Sequence, residues 1–362
     1  MPDLSARVVL LAPTWLGDAV MALPALRDVR HHFADGRLAV AARPSVAPLF
    51  RSVPGVDEIV TLSSEGGSSI VKSWRHDVRT LREGRYDIAI LLPNSFYAAW
   101  IARSAGVPER WGYRADFRRR LLTRAIARPP RKVSYGAYYQ ELLRALDIET
   151  GPLTSRLAVS QASRETAKRL LEREGWSPGQ TLIGIAPGAA YGHAKQWPPF
   201  RFAELIRLLA DRLNAACVLV GRQADRDAGQ EIASCLEQRF EGQASPRLIN
   251  LIGRTDLQGL LGVMWQCQAF IANDSGALHL AAAIGVPVTA IYGPTDERYS
   301  QPLRAEGDSE QQVIVLMEPV WCRPCGLREC PIDHRCMTRI TASRAFDAVR
   351  SQMQIVEAVR RS

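Results

Sequence analysis

No apolar run in this 362-residue chain reaches the roughly 20 residues that a membrane-spanning helix needs, because charged residues or prolines break every one first. A transmembrane helix is therefore not expected. The short run Val8-Val9-Leu10-Leu11-Ala12 suits a strand better than the core of a signal peptide. Hairpin signals are missing between the apolar segments, which argues against an antiparallel sheet. Cysteine is too sparse, at seven and an odd count, for a disulfide framework. Cys217, Cys235 and Cys267 stand singly in apolar or helical surroundings, as buried free thiols do. These absences fit a cytoplasmic protein.

What is present is a globular composition, 47% hydrophobic and 23% charged, with a formal net charge of +9 and a pI near 9.4. An excess of positive charge favours polyanionic partners: nucleic acid, an anionic lipid surface or a phosphorylated substrate. The length exceeds one ordinary core and predicts two domains with a cleft between them.

Short apolar strands alternate with helical spacing along both halves. Arg7 to Ala12 leads into helical spacing from Asp18 to Phe33, then strands at 38–42 and near 56–60, a helix over 72–84 and a strand over 86–92. After the polar segment Glu149-Thr150-Gly151-Pro152-Leu153-Thr154, a helix over 160–174 and the turn Gly175 to Gly179, the alternation restarts at 182–186 and runs to 288–292. This pattern predicts an α/β fold of two doubly wound, Rossmann-like domains: 1–175, 176–342, and a last helical stretch, 343–362, that either extends the second or crosses back over the first. Facing each other, two such domains make the GT-B architecture, with ligands beyond the carboxyl ends of the strands.

Three strand-end loops carry candidate chemistry. Asn273-Asp274-Ser275-Gly276-Ala277-Leu278-His279 follows a strand and opens a helix, where backbone N–H groups and the helix dipole can hold phosphate; alternatively Asp274 or Ser275 merely caps the helix. Ala186 to Pro198 contains Gly188, which permits close backbone approach, and Lys195, which can neutralise a departing pyrophosphate; the bland alternative is a surface loop with a solvated lysine. Pro13-Thr14-Trp15-Leu16-Gly17-Asp18 places a carboxylate at the end of the first strand, as a general base or as an ordinary helix cap. No Asp-x-Asp pair stands at a strand end, so strict dependence on a divalent ion is not expected.

The order and spacing of Pro13 to Pro24, Leu92-Pro93-Asn94-Ser95-Phe96, Gly112-Tyr113-Arg114, Pro187 to Pro198 and Asn273 to Pro294 resemble the bacterial lipopolysaccharide heptosyltransferases, most closely the heptosyltransferase II branch, along nearly the whole chain. The resemblance implies a GT-B enzyme that transfers heptose, with inversion, from an ADP-activated donor to the inner core of an anionic lipid A-linked oligosaccharide. It also implies work at the cytoplasmic face of the inner membrane, with no cofactor required. Asp18 would be the base and Lys195 would stabilise the departing phosphates. Asp274, Ser275, Gly276 and His279 would wall the donor site, with Gly188 near phosphate and Gly253, in Ile252-Gly253-Arg254-Thr255, near adenosine.

The arginine-crowded segment from Trp111 to Arg131 would then serve the acceptor, with Asn94, Ser95, Arg114, Arg118 and Arg120 as contacts. A solvated face or a nucleic-acid patch would use similar residues, but no nucleic-acid-binding fold is evident and a nucleic-acid partner is not expected. Cys322, Cys325, Cys330 and Cys336 either hold a structural zinc or iron–sulfur centre or remain thiols. Two other functions fit the composition: a GT-B enzyme using another nucleotide sugar, or a basic non-catalytic protein binding nucleic acid or membrane. The second leaves Asp18, Lys195 and the 274–279 loop without a role.

Overall fold

The computed structural model describes residues 4–63, 69–240, 246–305 and 313–361, with side chains to 354; residues 1–3 and 362, ends of the anticipated domains, lie outside it. Two compact units divide the chain, 1–158 and 159–362.

In the first unit the strands are β1 (Arg7–Leu11), β2 (Arg37–Ala42), β3 (Glu58–Thr61), β4 (Ile88–Leu91), β5 (Glu109–Tyr113) and β6 (Arg124–Ile126), in the order β3-β2-β1-β4-β5-β6, with every pair parallel. β4, and β1 beyond Arg7, are apolar and buried throughout, as central strands of a parallel sheet are. The register sets Leu10 opposite Val40 on one side and Ile90 on the other. The anticipated helix from Asp18 to Phe33 is two helices, Leu16–Met21 and Leu23–His32, because Pro24 falls in the first turn of the second, where its missing N–H costs nothing.

The second unit repeats the topology. Its strands are β7 (Leu182–Ala186), β8 (Ala216–Leu219), β9 (Leu248–Asn250), β10 (Ala269–Asn273), β11 (Val288–Tyr292) and β12 (Val313–Met317), in the order β12-β11-β10-β7-β8-β9. In both sheets the direction of winding reverses between the first and fourth strands, β1 and β4 or β7 and β10. At such a reversal the outgoing loops diverge to opposite faces and leave a crevice at the carboxyl ends.

The boundary falls at 158/159 rather than at 175. The helix Gln161–Arg173 packs on Leu257–Gln266 of the second unit, so closely that a Cβ on Gly262 would come within 2.3 Å of the Ser163 carbonyl. The polar segment near 150 is anchored in the first unit: Gly151 N donates to Asp28 Oδ1 at 3.1 Å, and Ala158 N to the Ser52 carbonyl at 2.8 Å. The last helix, Ala342–Arg361, lies on the second sheet through Ala345, Phe346 and Val349, and buried Gln352 bonds Thr289 and Val288 of β11 at 2.9 and 2.7 Å. As far as its described side chains extend, it belongs to the second unit.

One buried carboxylate ties the first unit together. Asp77, on the helix Ile70–Glu83, accepts from Ser63 N at 2.7 Å after β3, from Tyr97 Oη at 2.8 Å after β4, and from Arg43 at 3.2 Å after β2. Burial alone would raise its pKa; the hydrogen bonds from Ser63, Tyr97 and His76 override that and hold it below the usual carboxylate value. Replacing Asp77 with alanine strands a half-buried guanidinium and is expected to destabilise the first unit by about 3 kcal/mol, read from urea unfolding. Since the folded pKa lies below the unfolded one, the contribution is complete above about pH 4 and is lost as pH falls through the folded value. An Asp77→Ala protein as stable as wild type at neutral pH would refute this.

Candidate functional site

The carboxyl ends of β7 and β10 bring two of the sequence motifs together. Lys195, in the loop after β7, places its Nζ 2.6 Å from Asp274 Oδ2, and Thr295 Oγ1, after β11, donates to the same oxygen at 2.7 Å. Lys195 is only 13% exposed, so it is not a solvated surface lysine. Tyr191 lies beneath it, with 5.0 Å from Nζ to the ring centroid.

Asn273 staples the two loops: its Nδ2 donates to the Pro187 carbonyl at 2.6 Å and its Oδ1 accepts from Trp197 N at 3.0 Å. Ser275 occupies the N-cap position of the helix Gly276–Ala283, yet its side chain makes no capping bond. Asp274 is engaged with Lys195 and Thr295, so neither residue serves as the cap. Ser275 Oγ and His279 Nδ1 are both buried without a hydrogen-bond partner among the described residues. Orphaned polar atoms are costly in a folded interior. Two of them beside a buried lysine and the positive end of a helix are the kind of groups that can hydrogen-bond an anion.

On the β8 and β9 side the backbone is drawn in tightly. A Cβ on Gly188 would meet the Asp225 carboxyl at 2.3 Å, and one on Gly253, which has φ +70°, would meet Gln223 Oε1 at 2.5 Å. These glycines keep the rim low between two polar side chains.

In the first unit, Asp18 lies in the first turn of Leu16–Met21, three residues past the N-cap position held by Trp15, and Trp15 makes no side-chain cap bond. Asp18 is thus not the helix cap. Its helix follows the carboxyl end of β1, which pairs with β4 at the reversal point. Burial, and then the charge of Asp18, hold the hydroxyl of nearby Tyr139 well above its ordinary pKa.

The anticipated acceptor residues divide. Asn94 Nδ2 donates to Tyr138 Oη at 3.0 Å while its Oδ1 is buried without a partner among the described residues. Ser95 caps the helix Phe96–Ser104 by accepting from Ala98 N at 3.3 Å. Arg114 and Arg120 are exposed. Arg118 corrects the sequence reading: it is fully buried, its Nε donates to the Tyr113 carbonyl at 2.9 Å, and its Nη1 donates to the carbonyls of Pro93 and Ser95. Burial pushes its pKa down to about 10. Its Nε and Nη1 thus brace backbone carbonyls, while its Nη2 is buried without a partner among the described residues.

A profile of glycosyltransferase family 9 (heptosyltransferase) matches residues 74–335. Lipopolysaccharide heptosyltransferase 2 of Escherichia coli K12 is 33% identical over 305 residues, 82% of this chain and 85% of its own. The chain belongs to glycosyltransferase family 9. Lipooligosaccharide heptosyltransferase 2 of Haemophilus ducreyi is 29% identical over 86% of the chain and 88% of its own. Among solved structures, E. coli ADP-heptose LPS heptosyltransferase II superposes with a TM-score of 0.80 at 27% identity, covering 97% of this chain and 99% of that one. The two-unit α/β architecture is therefore the GT-B fold of these heptosyltransferases.

In this family 9 chain the cysteine-rich segment is a buttress for the lysine loop. Ala194 N donates to the Arg328 carbonyl at 2.9 Å, Tyr191 Oη to the Gly326 carbonyl at 3.0 Å, and Gly192 leaves no space for a Cβ against the Arg328 backbone. Gly326 N in turn holds the Pro294 carbonyl at 2.8 Å, and Arg323 bonds the carbonyls of Gly293 and Thr295 at 2.7 and 2.9 Å. Among the described residues no three His, Cys, Asp or Glu side chains are grouped to hold a metal ion. Burial, and then the neighbouring thiols of Cys322, Cys325 and Cys330, raise the Cys336 thiol to about 11, so the four cysteines lie near one another.

Sequence reasoning overlooked Asn273, Thr295, Tyr191 and Asp225 as site residues. Three of the four stand inside or beside motifs it had singled out. Asp225 also begins the chain's single Asp-x-Asp, Asp225-Arg226-Asp227, but at a helix start, where its Oδ2 accepts from Arg222 N at 2.8 Å.

His279 yields a test of pH dependence. Burial pushes its pKa down to about 4 from 6.5, so the ring is neutral at neutral pH. Between these values the unfolded chain binds more protons than the folded one. Stability is thus complete above about pH 6.5 and declines as pH falls toward about 4. His279→Gln is expected to flatten that part of the profile of thermal midpoint against pH, and an unchanged slope would show that other groups cause it.

Proposed function

We propose that this glycosyltransferase moves heptose, with inversion, from an ADP-activated donor to the inner core of a lipid A-linked oligosaccharide. The observation that carries the reading is Lys195 held by Asp274 and Thr295 beside the orphaned Ser275 and His279, at the reversal point of a family 9 fold. Relatives named lipopolysaccharide and lipooligosaccharide heptosyltransferase 2 support the sugar and the acceptor.

In the proposed reaction an acceptor hydroxyl oxygen attacks the anomeric carbon and its proton passes to the Asp18 carboxylate. The bond from that carbon to the ADP oxygen breaks, and its electron pair leaves with the β-phosphate. Negative charge thus grows where Lys195 and the helix N-terminus can offset it. Asp274 keeps Lys195 aimed beforehand, so little reorganisation is required as the charge develops. His279, being neutral, can donate a hydrogen bond without adding charge. A base and a cationic clamp suffice for an oxocarbenium-like transition state, so no divalent ion is assigned a step. The lipid-borne acceptor would bring the enzyme to the cytoplasmic surface of the inner membrane.

With ADP-heptose and a core acceptor, Asp18→Ala is expected to lower kcat by roughly 10²- to 10⁴-fold while leaving donor affinity within about threefold. A variant that retains most of the wild-type turnover would remove Asp18 from the role of base. Lys195→Ala is expected to lose about 10²-fold or more in kcat, with weaker ADP binding in calorimetry. Activity should survive EDTA; a loss restored only by Mg²⁺ would sink the metal-independent mechanism. A screen of ADP-, UDP- and GDP-sugars should single out the ADP donors.

A further inference from the structure

One turn of the first unit is built at a cost that neither the core nor the proposed chemistry explains. After β5, Asp116 and Phe117 take consecutive left-handed conformations, with φ +46° and +59°, a region that aspartate tolerates but a phenylalanine rarely adopts. The result is a fully exposed phenylalanine, the most exposed large apolar side chain among the described residues.

The turn is held firmly. Arg118, the next residue, is sunk into the fold on the carbonyls of Tyr113, Pro93 and Ser95, and its backbone N donates to the Ala115 carbonyl at 2.9 Å. Around Phe117 the exposed side chains are basic: Arg114, Arg119 and Arg120, with exposed Arg103 joined to the Arg120 carbonyl at 2.9 Å. The nearby acid, Asp116, lies 3.6 Å from Arg128. A rigid apolar tip within a ring of guanidinium groups fits a surface that is apolar at shallow depth and anionic above, which is the chemistry of an anionic bilayer.

We propose that the Asp116–Phe117 turn is a membrane-docking tip, with the Phe117 ring entering the interfacial layer while the arginines meet lipid phosphates. This adds to the reading of a lipid-borne acceptor but does not need it, since neither acceptor nor turnover enters the contact.

The test is co-sedimentation of the full chain with vesicles of phosphatidylcholine alone and of phosphatidylcholine mixed with phosphatidylglycerol. Wild type should bind the mixed vesicles, less so as salt rises, and bind the neutral ones poorly. Phe117→Ala should lower the partition coefficient roughly tenfold, the loss expected from leaving one aromatic ring in water. Phe117→Asn should lose as much while melting no lower than wild type, because asparagine tolerates the left-handed conformation; this separates docking from misfolding. Phe117→Trp should gain fluorescence quenching by brominated lipid. Wild-type partition by both the Ala and Asn variants would overturn the proposal, as would equal binding to neutral vesicles. Failure here would leave the transfer reaction intact, and failure of the transfer assay would leave vesicle binding intact.

Discussion

The reversal of winding in each parallel sheet is the constraint on which the site depends. Where β7 and β10 lie side by side, their outgoing loops must part. Lys195 comes from one loop and Asp274 from the other, so their ion pair spans the opening and Asn273 fixes its width. In the first unit the same reversal falls between β1, whose outgoing segment carries Asp18, and β4, whose outgoing segment carries Asn94. Loop chemistry differs between the two units, but the scaffold beneath is the same pattern used twice.

Burial then sorts charged residues that look alike in sequence. Arg118, Arg119 and Arg120 are consecutive, yet the first is an internal brace and the others face water. The choice is made by the carbonyls of Pro93, Ser95 and Tyr113, which converge on one position only. His279 shows the complementary effect: enclosed among apolar helix residues, it gives up its charge and remains as a neutral polar group near Asp274 and Lys195. Asp77 keeps its charge at similar depth because Ser63, Tyr97 and Arg43 donate to it.

Much of this was legible in the sequence, for physical reasons. Strands buried on both faces are continuous apolar runs, so nine of the twelve strands, or most of each, stood out between helical spacings. β5, β6 and β12 did not: a strand with a polar start running into the arginine-rich segment, three residues of mixed polarity and a half-buried edge strand after a polar stretch carry little periodic signal. The helices Phe96–Ser104 and Tyr135–Arg144 were passed over beside an arginine-rich segment that drew attention to charge. The domain boundary was misplaced because a glycine- and proline-containing turn at 175–179 looks like a linker, whereas the helix before it is held by a close helix crossing at Gly262, which local composition does not encode. Lys195, Asp274 and Asp18 were readable from strand-end position. Thr295 and Asn273 needed the partner loop, and so did the bonds by which the cysteine segment holds the lysine loop, which no local pattern encodes.

That last attachment bears on how the molecule is assembled. Every residue of the first sheet lies within the first 158 positions, so this half has all its partners as soon as it leaves the ribosome. The lysine loop is made near position 190, but the carbonyls and amides that shape it arrive with Gly326 and Arg328, and β7 itself waits for β10. The nascent chain therefore has every strand of the first sheet before the residues that shape the lysine loop have been made.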